Sequence, residues 1–301
     1  STADPVWTSG PGQVTTGPAR KSTTGIRAAV TRLMTPDAAG RIVSLTATDV
    51  FYRDSGADTF TSVLTATPTD VIEFDSNYFA AMGNAAAYQY KSALSAGGWT
   101  TSTLGATGDL QFANLWASDL TADLTFGRLW KSVSPNKIYS SVDPTNGSGN
   151  WSTAYFVGSS KHNINSLRVI DNRLIVGKPE SLYWVKPSGV PEVLFSFRDA
   201  IHADNGKVLV QTHTGLVMAN WLHGLVAFQP GGAAMNVTLT EVWRQFAPGV
   251  RSSNEETRGR FVAAVAGPAA TYFTLYDSIS TNYYLVMWDG QSIERGWHVI
   301  H

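Results

Sequence analysis

Pairs of short apolar runs, each pair split by a small or polar break, recur along most of this chain. Residues 173–185 read RLIVG, then KPE, then SLYWV. The arrangement returns as GRIVSLTATDVFYRD from Gly40, YFAAMGNAAAYQYK from Tyr78, GKVLVQTHTGLVMAN from Gly206 and GRFVAAVAGPAATYFTLYD from Gly259. A less regular version, LQFANLWASDLTADLTFGRL, starts at Leu110. Runs this short, rich in β-branched and aromatic residues and bounded by Gly, Pro and Asn, are strands joined by tight turns. They recur at about 45-residue intervals, the period of β-propeller blades.

A four-stranded antiparallel sheet is too thin to bury its own two faces. Sheets arranged around an axis bury each face against the next and leave only short edges. Small residues at IVG and AAMG suit crowded inner strands, and Phe51, Tyr52, Tyr183, Trp184 and Tyr272 suit the wider gaps between sheets. The expected fold is therefore all-β, a propeller of short antiparallel strands, with six blades fitting the count and seven allowed if one irregular unit is missed. A β-sandwich is the competing architecture, because it also has many hairpins. The Ala-rich stretch 80–96 is read as strands, since Tyr88 and Tyr90 alternate with polar residues.

The expected domain begins near residue 26 and runs to 301. Residues 1–25 hold three Pro and four Gly and read as an extended arm or linker. Trp7 stands out there as a ring that needs somewhere to dock. SSVDPTNGSGNW, from Ser140 to Trp151, reads as a long polar loop. PGVRSSNEETRGR, from Pro248, is the densest charge cluster.

Charged residues make up only 15% of the chain and the net charge is -1. That leaves no basic surface for a nucleic-acid backbone, and weak repulsion between copies suits life inside an assembly. With no cysteine, disulfides and thiolate sites are excluded. No apolar stretch has membrane-spanning length, so membrane insertion is not expected. The closing GWHVIH lacks a polar tail, which fits an end tied into the fold or a longer parent chain.

Motifs for chemistry are missing. The six histidines show no HxxxH or HxH spacing, and no cofactor fingerprint or nucleophile elbow occurs. Glu73 and Asp75 in DVIEFDS are the best carboxylate pair, because period-2 geometry would place them on one strand face. Such pairs are common on solvated strands, and no catalytic residue is assigned. Repeating Trp is mainly core material, but Trp7, Trp151, Trp221 and Trp288 sit beside turns or polar loops and are the candidate binding anchors.

The phrase SLRVIDNRLIVGKPESLYWVKPSG resembles blades of β-propeller domains in bacteriophage virion and tail-associated proteins, through Leu167, Leu174, Val176, Gly177, Leu182 and Tyr183. A second copy keeps Gly215 and Leu216 but has Val217 where Tyr is common. The likeness is good over residues 160–230. It implies a structural or host-surface-binding role in a virion or similar extracellular assembly, with other assembly proteins or a surface glycan as partners and no cofactor. A lectin-like carbohydrate-binding propeller is the alternative, and a polysaccharide-degrading enzyme a more distant one.

Overall fold

The computed structural model describes residues 6–8, 14–16, 30–33, 39–46, 48–54, 57, 59–66, 68–82, 87–94, 98–102, 115–118, 128–145, 150–170, 173–186, 189–197, 201–203, 205–212, 215–220, 224–228, 235–236, 259–266, 270–277, 282–289 and 297–300. Every regular element among them is a strand. The chain divides into two compact units, Ser22–Ser196 and Ser1–Lys21 with Phe197–His301.

The first of these units holds four antiparallel four-stranded sheets. They are β3 to β6 (Val30–Leu33, Ile42–Thr46, Asp49–Arg53, Thr61–Thr65) and β7 to β10 (Asp70–Phe74, Asn77–Ala81, Gln89–Lys91, Thr100–Thr101). Next come β11 to β14 (Leu115–Ser118, Arg128–Val133, Lys137–Ser141, Tyr155–Phe156). The last is β15 to β18 (Ser166–Ile170, Arg173–Gly177, Ser181–Val185, Pro191–Ser196). Each strand pairs with its sequence neighbour. First strands lie side by side, β11 between β7 and β15.

Period-2 alternation explains why such thin sheets are stable. In β8, Tyr78 and Ala80 pack with Val43, Leu45 and Val50 of the preceding sheet, while Phe79 and Ala81 pack with Leu129 and Val133 of the following one. β12 does the same, sending Leu129 and Val133 backwards and Trp130 forwards onto Leu167, Leu174 and Val176. Both faces of an inner sheet are therefore apolar, and burying a side chain such as Phe79 contributes roughly 1.5–3 kcal/mol.

The other unit begins with a hairpin, β1 and β2 (Val6–Thr8, Val14–Thr16), which lies inside the stretch read as an arm and pairs Trp7 with Thr15. Two more four-stranded sheets follow. They are β19 to β22 (Leu209–Thr212, Gly215–Asn220, Gly224–Phe228, Met235–Asn236) and β23 to β26 (Gly259–Ala266, Thr271–Asp277, Asn282–Trp288, Trp297–Ile300). Val208, Val210, Leu225 and Ala227 meet Phe261, Phe273, Leu275, Val286 and Trp288 between them.

The strand pairs expected from the sequence are present but out of phase. Those at Gly40, Tyr78 and Arg173 are the second and third strands of their sheets, whereas those at Gly206 and Gly259 are the first and second. Every hairpin of a meander has the same local pattern, so periodicity finds the hairpin and not its place in the sheet. The β7–β8 turn shows how local chemistry fixes register. Asp75 (φ 46°) and Ser76 (φ 59°) both adopt left-handed backbone, and Phe74 pairs with Asn77, the geometry of a two-residue primed turn. Ser76→Gly should stabilise this unit by about 1 kcal/mol in denaturant unfolding, because the left-handed cost disappears; an unchanged or lower midpoint would contradict the assignment.

Candidate functional site

In an antiparallel meander the first and third turns share one end of the sheet. The second turn and the exit from the fourth strand share the other. Two consecutive sheets carry a tryptophan at the same place, in the connection leading to the fourth strand: Trp99 before β10 and Trp151 before β14. Both rings are half-buried.

Each indole N–H is donated to the preceding sheet. Trp99 Nε1 donates to the carbonyl of Val63 in β6 at 2.9 Å. Trp151 Nε1 donates to the Tyr88 hydroxyl at 3.1 Å. Each ring also faces a lysine of its own sheet. Lys91 Nζ lies 5.6 Å from the Trp99 ring centre and donates to the Leu94 carbonyl at 3.1 Å. Lys131 Nζ lies 4.3 Å from Trp151, 5.3 Å from Tyr139 and 5.6 Å from Tyr88, so three rings hold one cation.

The loop after β13 is tied to this cluster. The Tyr88 hydroxyl donates to the Pro144 carbonyl at 2.5 Å, and the Tyr90 hydroxyl donates to that of Thr145 at 3.2 Å. Asn150 Nδ2 donates to Asp143 Oδ2 at 3.3 Å, and Trp151 bridges back to Ser141. Burial pushes the Tyr88 hydroxyl above its ordinary pKa, keeping it protonated and able to donate. Burial likewise pushes the Lys91 ammonium down.

A second polar cluster lies at the opposite end of the sheets. Lys178, just after β16, has a fully buried side chain. Its Nζ donates to the carbonyls of Val157 (3.1 Å), Ser159 (2.7 Å) and His162 (2.8 Å), with Glu180 Oε1 at 3.5 Å. Burial pushes this ammonium's pKa down, and Glu180 pulls it back up. Asn136 Nδ2 donates to the Gly158 carbonyl at 3.1 Å, and Ser134 Oγ donates to Asn163 Oδ1 at 2.7 Å. The crossover between two sheets is thus fixed from three sides, while Ser159, Ser160, Lys161 and Asn163 remain exposed.

Of the sequence candidates, Trp151 is part of the lysine–aromatic cluster. Trp288 was expected at an exposed turn but is 2% exposed. It closes β25 on the packed face, opposite Thr271 and Trp297, because the strand continues to that residue. Trp7 belongs to β1, but its side chain lies outside the described residues, as do Trp221 and the charge cluster 251–258. Asp75 sits in the β7–β8 turn and not in the strand with Glu73. Strand alternation therefore does not relate the two carboxylates. Lys91, Trp99, Lys131 and Lys178 were missed, although a lysine set among apolar or aromatic strand residues, as in YQYK and RLWKSV, was a visible signal.

Among the described residues no group of three or more His, Asp or Glu is placed to hold a metal, and no helix is long and apolar enough to cross a membrane. No protein-family model and no curated protein matches the chain. Solved structures do. The extracellular domain described as that of one component system BT4673 from B. thetaiotaomicron is 14% identical, with a TM-score of 0.57 over 94% of this chain and 41% of that one. BBS1N, in a complex with ARL6DN, gives 12% identity and 0.58 over 92% of this chain and 83% of that chain. A chain of the mitotic checkpoint complex gives 10% and 0.58 over 97% and 85%. The chain spans between 36% and 46% of the first extracellular-domain structures it matches. At these identities the likeness is one of fold: all-β, with several small antiparallel sheets in a propeller-like series.

Proposed function

We propose that the chain is a non-enzymatic binding module of an extracellular assembly, a six-bladed propeller-like domain whose ligand is carbohydrate. One observation carries this reading: two consecutive sheets present a half-buried tryptophan at the same end and the same position. An indole anchored by its N–H and backed by a cation keeps one fixed orientation, and fixed aromatic platforms spaced one per sheet suit the flat apolar faces of sugar rings. The extracellular setting is supported by the likeness to BT4673. Trp7 and Trp221 belong to the same proposal as further anchors, and Trp288 does not, because its ring is core.

A glycan array on the whole chain tests this. Binding should weaken at least tenfold in Trp99→Ala and in Trp151→Ala. Phenylalanine at either position should retain most of it, since a ring remains. Failure to bind any glycan, or binding indifferent to all four substitutions, would remove the carbohydrate reading. The virion setting rests on the sequence resemblance over residues 160–230. Its test is to look for the protein in purified particles.

A further inference from the structure

Phe60 holds in the β3–β6 sheet the place that Trp99 and Trp151 hold in the next two. Tyr52 pairs with Thr61, so one further step of the register sets Phe60 opposite Arg53, the last residue of β5. In the β7–β10 sheet Tyr90 pairs with Thr100, and the same step sets Trp99 opposite Lys91, the last residue of β9. In the β11–β14 sheet Trp151 bridges Ser141, the last residue of β13. The β15–β18 sheet ends the series, with Pro191 opposite Val185.

The three positions also share a face, because residues directly opposite each other in a sheet lie on the same side. Lys91 pairs with Tyr78 and Ser141 with Leu129, and both of those pack against the preceding sheet. Arg53 pairs with Ile42. Its neighbour Val43 packs towards the β7–β10 sheet, so alternation puts Ile42, Arg53 and Phe60 on the face turned away from that sheet. Phe60 is half-buried. Arg53 Cζ lies 5.4 Å from its ring centre, against 5.6 Å for Lys91 Nζ and Trp99. Aromatic type, register, face and a facing cation therefore repeat in three consecutive sheets. Gap-filling alone asks only for apolar volume, which an aliphatic side chain supplies as well.

Resting on the carbohydrate reading above, we propose that the ligand is a polysaccharide chain lying across these three sheets, with Phe60 as a third ring platform. Packed sheets stand about 10 Å apart, so rings in three consecutive sheets extend over roughly 20 Å, farther than a disaccharide reaches. A short glycan would leave rings of the row unused, whereas a repeating chain meets them in turn. Each ring alone makes one weak contact. Contacts on one chain reinforce each other, because every contact after the first forms intramolecularly.

Isothermal titration of the full chain with cello-, xylo-, malto- and chito-oligosaccharides, each from disaccharide to decamer, tests the proposal. Affinity for one series should rise at least tenfold with length and level off once the chain spans the row. Phe60→Leu keeps an apolar side chain without a flat ring. It should weaken decamer binding at least tenfold, with circular dichroism unchanged, and Phe60→Tyr should recover the loss. A disaccharide bound as tightly as the decamer overturns the proposal and leaves the carbohydrate reading standing; this comparison in wild type needs no variant to fold. Decamer binding unchanged in Phe60→Leu also overturns it, since the ring would then serve packing only. So does a failure of every series to bind, and a blank glycan array beside that result removes the carbohydrate reading itself.

Discussion

Lys178→Met should cost the Ser22–Ser196 unit about 3–5 kcal/mol, the loss expected when one partner of a buried ionic cluster is removed. The methionine fills much of the volume but donates nothing. Three carbonyls that now accept from Nζ, those of Val157, Ser159 and His162, are left without that donor, and Glu180 loses its counter-charge. An unpaired buried group costs about 1–3 kcal/mol; that cost falls mainly on the Val157 carbonyl, whose bond is buried, and less on those of Ser159 and His162, whose bonds are part-buried, and the rest comes from the uncompensated Glu180. Denaturant unfolding should show a lower midpoint with little change in slope. A loss below about 1 kcal/mol would mean that water reaches these carbonyls, and the ammonium would then not be what fixes the crossover.

Gly158→Ala should be nearly as damaging, for a different reason. Gly158 has φ +59°, and a Cβ there would collide with the hydroxyl and ring of Tyr183. Left-handed backbone costs a non-glycine residue about 1–2 kcal/mol, and forced overpacking adds about 1–3 kcal/mol. The two contributions can be separated. In a Tyr183→Phe background the hydroxyl contact is gone but the ring carbon Cζ at 2.7 Å remains, so adding alanine at 158 should cost less than in wild type and still more than the backbone part. A double-mutant cycle in which the alanine costs the same with and without the hydroxyl would refute the steric account. Gly189, with φ +84°, is confined in the same way by the Tyr155 ring.

These two positions show how far the sequence could be read. Gly177 and the phrase around it are legible as one of the repeated strand pairs. Lys178, the next residue, looked like an ordinary polar break between two strands. Sequence spacing cannot show that its amine returns to carbonyls 16 to 21 residues earlier. The tryptophans divide similarly. Their recurrence was visible, and so was their preference for sheet gaps. Whether a given ring is core, like Trp288, or a half-buried clamp, like Trp151, depends on which side of the sheet it leaves and what stands opposite. Glu73 and Asp75 failed as a pair because the strand stops between them, and the turn's left-handed backbone breaks the alternation.

Local pattern by itself determined the class of this protein. Paired apolar runs with alternating side chains and turn residues at their ends dictate hairpins, and hairpins too thin to cover themselves dictate sheets packed on sheets. Which hairpin occupies which place in its sheet and which lysine is buried were decided only by tertiary structure. These depend on contacts between strands far apart in the chain, and no local period encodes them.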